Sequence, residues 1–133
     1  MIRLDECVLA WLRGVCDLPV GYCEFPADQD CYEFGPSPVQ ETVYQYRAGG
    51  GQYAYTYELY LRVRAPDAAA RMEAARRMSD VAQAISDRGF PETPDGCWWS
   101  DHQITERPGL RMTYDDGRED LRLVARITYI ERS

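Results

Sequence analysis

Apolar residues recur at helical spacing from the start of the chain. Leu4, Val8, Trp11, Leu12 and Val15 share one face of a helix predicted over residues 3–15. Gly14 weakens its last turn, and Pro19 and Gly21 end the pattern. Residues 17–38 are broken up by Asp17, Pro19, Gly21, Pro26, Asp28, Asp30, Gly35, Pro36 and Pro38, leaving room for short strands around 20–25 and 31–34. Pro36-Ser37-Pro38 predicts an extended entry into the next strand.

The period then changes to two. Val43 to Arg47 predicts a strand, Ala48-Gly49-Gly50-Gly51 a turn, and Gln52 to Arg64 a long strand. In the long strand Tyr53, Tyr55, Tyr57, Leu59, Leu61 and Val63 alternate with Gln52, Ala54, Thr56, Glu58, Tyr60, Arg62 and Arg64. At ~3.3 Å per residue it reaches about 40 Å, so part of a hairpin over 43–63 is expected to project as an arm.

Pro66-Asp67 marks a helix entry, with Asp67 as N-cap. Over 68–88, Ala68, Met72, Ala75, Met78, Val81, Ala82 and Ile85 are expected on the core face. Arg71, Arg76, Arg77, Asp80, Gln83 and Asp87 take the other, and Gly89 is the stop. A loop over 90–101 carries Cys97-Trp98-Trp99. Closing strands over 103–114 and 119–131 complete the chain, joined by Asp115-Asp116-Gly117, a strong hairpin signal. In the last strand Leu121, Leu123, Ala125, Ile127 and Tyr129 alternate with a face that is itself half apolar, as in a central or partner-covered strand. The predicted class is α+β: one domain over 1–133, an antiparallel or mixed β-sheet built from two hairpins, packed against an N-terminal helix and one long central helix.

Length and composition agree with this picture: 133 residues, 45% of them hydrophobic, suffice for one packed core. The net charge of −7 is unevenly placed, with eight acidic and two basic residues in the first 46. An acidic chain without a basic block is a poor free-standing nucleic-acid binder. All 15 basic residues are arginine, whose planar fork takes carboxylates in two-point contact. Arg3, Asp5, Glu6 and Arg13 interrupt any leader-like apolar run and no stretch has transmembrane length, so a soluble cytosolic product with no membrane role is expected.

Candidate chemistry is sparse. His102 is the single histidine, and Cys97 lies five positions before it in a Pro/Gly loop, no recognised nucleophile–base geometry. Cys7, Cys16, Cys23, Cys31 and Cys97 form no CxxC pair, which points to scattered core thiols in place of a disulfide framework or a zinc site. The glycine run at 49–51 lacks the GK[ST] ending of a phosphate loop and lies between strands. Asp115, Asp116, Glu119 and Asp120 fit a solvated turn and lack a calcium-loop pattern. No catalytic residue, cofactor or metal is expected.

Aromatics are the informative feature. Tyr44, Tyr46, Tyr53, Tyr55 and Tyr60 put rings on both faces of the first hairpin, and Trp98-Trp99 form a pair in the loop. Rings on both faces of a strand call for something on each side, and a second subunit is the simplest candidate. These residues, with Arg62 and Arg64, are the candidate subunit or partner interface. Glu41 and Asp28 are candidate acceptors for the arginines.

The stretch TVYQYRAGGGQYAYTYELYLRV, Thr42 to Val63, resembles the middle of small phage proteins of the siphophage tail-terminator and minor-capsid (tail-completion, head–tail joining) group. In that group a strand ending in an aromatic-x-x-Gly turn leads into a long strand with Gln-aromatic near its start, here Gln52-Tyr53. A helix, a loop and two closing strands come next. The likeness covers most of the chain except 17–38. It implies a virion protein without catalysis or cofactor, made in the bacterial host cytoplasm and placed at the head–tail junction. Such subunits close into a ring, typically a homohexamer, on the last ring of the tail-tube protein and dock to the head–tail connector protein. No specific nucleic-acid binding is implied, with DNA able to pass through the ring. Ring closure needs two different patches per subunit, one of them expected on the 43–63 hairpin. The alternatives are another head–tail connector protein (stopper, adaptor or tail completion), a generic homo-oligomeric interaction module, or a small enzyme built on Cys97 and His102.

Overall fold

The computed structural model describes residues 4–26, 29–37, 41–87, 89–92 and 94–132. Among these the order is α1 (Leu4–Val15), β1 (Val20–Tyr22), β2 (Cys31–Pro36), β3 (Glu41–Gln45), β4 (Gly51–Arg64), α2 (Ala68–Ser86), β5 (Cys97–Thr113) and β6 (Arg118–Glu131). The strands form one six-stranded sheet in the order β1-β2-β4-β6-β5, with β3 pairing β4 beside β2. All pairings are antiparallel except β1 with β2, which is parallel, so the expected α+β class stands and its sheet is mixed.

Period-two patterning is realised on β4 and β6. Tyr55, Tyr57, Leu59, Leu61 and Val63 meet Leu121, Leu123, Ala125, Ile127 and Tyr129 in one buried cluster. Leu4, Val8 and Leu12 of α1 and Ala74, Met78, Val81 and Ile85 of α2 join that cluster, so both helices cover the same face of the sheet. Asp67 caps α2 as its sequence position suggests: its side chain accepts from the Ala70 amide at 2.9 Å. Tyr114 and Arg118 close the last hairpin through Gly117, whose φ of 85° a side chain would resist.

Three expectations change. The 43–63 hairpin is not a free arm: β4 pairs with β6 from Gly51 to Arg64, and β2 or β3 covers much of its other edge. What stands clear is β3, exposed at every position, and the five-residue connection 46–50 beyond it. The loop expected over 90–101 is shorter, because β5 already begins at Cys97 and runs 17 residues with four register shifts. The core stripe of α2 is Ala74, Met78, Val81 and Ile85, while Ala68, Met72 and Ala75 of the expected face are exposed. The apolar arc of this helix is wider than one sheet covers. The helix is described to Ser86 and Asp87 caps it; position 88, like Asp28 and Pro38, lies outside the described residues.

Candidate assembly surface

The face of the sheet away from the helices carries two zones. Register places Tyr44 opposite Gln52, Gln52 opposite Ile130, and Ile130 opposite Trp98, so one row crosses β3, β4, β6 and β5. Tyr44 is 60% exposed and Trp98 49%. The ring of Tyr46 lies 5.4 Å from that of Tyr44, and the Arg132 guanidinium sits 6.0 Å above Trp98. Exposed Val43 lies where the β3 register shifts, beside Tyr44. Gly51 permits this edge its closeness, since a Cβ there would lie 2.5 Å from the Tyr44 carbonyl oxygen.

Beyond that row the open face is an ionic lattice. Arg122 bridges Glu58 and Glu106, and the Tyr60 hydroxyl donates to Glu58 at 2.8 Å. Arg126 reaches Glu41 at 3.2 Å. Arg62 gives Asp120 two hydrogen bonds of 2.8 and 3.0 Å, donates to the Tyr114 hydroxyl, and stacks 4.0 Å over Phe25. Each pair holds its charges within the subunit.

The candidate interface residues therefore divide. Tyr44, Tyr46 and Trp98 present open aromatic surface. Trp99 is half-buried, donating its indole N–H to the Pro91 carbonyl at 2.7 Å, and Tyr53 is half-buried against Tyr129. Tyr55 is buried and donates its hydroxyl to Asp5 of α1; burial and that carboxylate push its phenol far above the ordinary range. It holds helix to sheet and has little surface to offer a neighbour. Tyr60 and Arg62 are engaged in the lattice, and Glu41 already accepts from Arg126. Arg64 is exposed, and with Arg62 and Arg118 it lines a recess of about 360 Å³ at the far end of the sheet.

A second unpartnered apolar surface lies on the helix side, at the opposite edge of the sheet. Arg71, Ala75 and Ser79 of α2 face Arg107, Pro108, Leu110 and Leu121 across a groove of about 680 Å³. Leu110 is 62% exposed, and Met72 on the adjoining helix face is 68% exposed. Isolated exposed aliphatics are ordinary, but a contiguous strip marks a contact surface. The sequence signal for it is the width of the apolar arc on α2, which periodicity alone assigns to the core.

Cys97 and His102 do not form a nucleophile pair. A register shift at Ser100 turns both toward the core, but their partners, Glu131 and Ile127, lie four residues apart on β6, a separation of about 13 Å. Burial, with Glu131 nearby, pushes the Cys97 thiol up to about 11, so it is no thiolate near neutrality. His102 is buried, and its two ring nitrogens face Tyr57 and Gly89. No three His, Cys, Asp or Glu side chains group as a metal site among the described residues, and no described helix is long and apolar enough to cross a membrane.

Neither a family model nor a curated protein matches the chain. Among solved structures it is similar to a chain in the virion of a native gene transfer agent particle, with a TM-score of 0.53 and 18% identity, covering 94% of this chain and 85% of that one. At that identity the likeness establishes a shared fold across nearly the whole domain.

Proposed function

We propose that this protein is a structural virion subunit that closes with further copies of itself into a ring, six-membered in the simplest case, at the head–tail junction of a long-tailed phage-like particle. There it terminates the tail tube and presents the docking surface for the head connector, without catalysis or cofactor. The observation that carries this reading is the pair of unlike apolar surfaces on opposite edges of one sheet: the β3 arm with Tyr44 and Tyr46, and the groove between α2 and β5. Unlike patches far apart on one subunit suit head-to-tail association, which closes into rings, and do not suit a two-fold contact of one patch with itself. The fold likeness to a chain of a virion supports a particle component.

Arrangement of charge fits the role. Among the described residues, Asp5 and Glu6 lie on α1, and Glu24, Asp30, Glu33 and Glu41 lie on or beside β1, β2 and β3. An acidic ring lining would leave a passing duplex mobile. The test is electron microscopy of the purified protein alone and mixed with its tail-tube protein. Rings, and binding confined to tube ends, are expected. A protein that ignores tube ends but binds the head connector would be a stopper or adaptor, and a plain two-fold dimer would be a generic interaction module.

A further inference from the structure

At the level of the row from Tyr44 to Trp98 the strands β3, β4, β6 and β5 lie side by side, so β3 and β5 are the outer strands there. We propose that successive copies join sheet to sheet at this level: the free edge of β3 in one subunit pairs with the free edge of β5, over residues 97–104, in the next. This inference rests on the proposed ring and names the contact that closes it.

Hydrogen-bond phase leaves both edges open. In an antiparallel ladder the backbone N–H and C=O of alternate residues point to the same side. The Thr128 and Val124 carbonyls accept from the Ser100 and Thr105 hydroxyls of β5, so even-numbered residues of β6 point toward β5 and odd ones toward β4. Carried through the register, this turns Glu41 and Tyr44 of β3 inward and Thr42 and Gln45 outward. It turns Trp98, Asp101 and Gln103 of β5 inward, and Trp99, His102 and Ile104 outward. The His102 N–H fits that outward phase, since it donates to the side chain of its neighbour Asp101 at 3.0 Å. No turn, loop or cap bond among the described residues takes the amides of Thr42, Gln45, Trp99 or Ile104.

Direction and face agree. The four strands alternate in direction, so β3 of a second copy set against β5 without inversion is antiparallel to it. Outward residues then meet outward residues, Thr42 and Gln45 against Trp99, His102 and Ile104, all with side chains on the helix side of the sheet. Tyr44 and Trp98 fall together on the open face, where both rings are exposed in the single subunit. Aromatic pairs across neighbouring strands are among those that stabilise a sheet.

The other edges are guarded. From Ile104 onward β5 carries Pro108 and three of its four register shifts, and β1 is only three residues long. Short, broken or proline-bearing edges resist pairing with other chains. β3 and residues 97–104 hold no proline and one register shift each. A head-to-tail contact uses both open edges of every subunit, whereas β3 on β3 or β5 on β5 leaves the other edge bare.

Hydrogen–deuterium exchange read by mass spectrometry tests the backbone contact, on the wild-type protein when dilute and when assembled, alone or on tail-tube ends. Peptides over 41–46 and 98–105 are both expected to exchange more than tenfold more slowly in the assembly. Two variants block one edge each. Thr42→Pro removes an outward N–H and leaves the ladder to β4, a position where a sheet tolerates proline, and Trp98→Lys puts a charge on the β5 edge. Both residues are exposed, so each variant should keep the wild-type circular dichroism. Neither should form rings alone, and their 1:1 mixture should give a heterodimer that grows no further, because one intact pair of edges remains. Wild-type rings whose two segments exchange as fast as in the monomer, or variants that still form rings, would overturn the edge contact and leave the ring reading standing. A wild type that neither forms rings nor binds tube ends, or a two-fold dimer slowed in one segment alone, would overturn the ring reading and this contact with it.

Discussion

The hydroxyl of Tyr57 lies 2.7 Å from Nε2 of His102, and the carbonyl oxygen of Gly89 lies 2.6 Å from its Nδ1. A carbonyl only accepts, so Nδ1 carries the proton and Nε2 receives the tyrosine O–H. The rings of Trp11 and Phe90 pack against the imidazole, 5.1 and 6.1 Å away. The histidine thus ties α1, the segment after α2, β4 and β5 together as a neutral side chain.

This arrangement makes stability fall in mild acid. Burial holds His102 below its ordinary value of 6.5. Below about pH 6.5 the unfolded chain takes up a proton that the folded chain refuses, so stability is full above that pH. It declines as pH falls toward the folded value, by up to about 1.4 kcal/mol per pH unit. Urea midpoints at pH 7.5 and 5.5 check this. His102→Gln is expected to cost about 1–3 kcal/mol at pH 7.5, through unmet buried hydrogen bonds, and to flatten the difference between the two pH values. An undiminished difference in the variant would assign the acid sensitivity elsewhere.

Asp120 is buried on the open face, where it accepts two bonds from Arg62 and one of 2.7 Å from the Tyr114 hydroxyl. Asp120→Ala leaves the guanidinium with its bond to the Tyr114 oxygen, and removes the acceptor of the Tyr114 O–H and of the two Arg62 N–H groups that bonded the carboxylate. Arg62 keeps about a quarter of its side chain in solvent, which softens the loss to about 1–3 kcal/mol. Replacing both partners by leucine should recover most of that cost, read as the denaturation midpoint in a double-mutant cycle.

The two methionines of α2 separate its core stripe from its assembly stripe. Met78 is buried, and Met78→Ala should cost about 2–5 kcal/mol of stability, as for other large-to-small core changes. Met72, largely exposed, should change stability by less than about 0.5 kcal/mol when made alanine, while weakening self-association. Calorimetry and sedimentation on the same two variants read both effects.

Much of this architecture is legible in the residue pattern. The alternation from Tyr53 to Val63 marks β4 and names its buried face, because period two admits a single division of the side chains. Asp67 and Asp115-Asp116-Gly117 mark a cap and a turn through local hydrogen bonding and backbone freedom, which tertiary contacts leave unchanged. Position within the sheet is not local. That β4 lies between β6 on one edge and β2 and β3 on the other depends on pairings between residues far apart in sequence, so the projecting arm is shorter than strand length alone suggests. Likewise Ala68, Met72 and Ala75 lie within the apolar arc of α2, and periodicity cannot say which part of a wide arc meets the sheet. Tyr55 is indistinguishable in pattern from Tyr53, yet Asp5, 50 residues away, claims its hydroxyl. Of the candidate interface, the exposed aromatics are readable in the sequence; the groove opposite them requires β5 and α2 to be placed side by side.

The most direct test of the ring is the mass of the native assembly, alone and on tail-tube ends, by native mass spectrometry. A single closed stoichiometry, six copies in the simplest case, that disappears with Tyr44→Asp is the expected result. A monomer at every concentration and on every tube, or a dimer related by a two-fold axis, would contradict it.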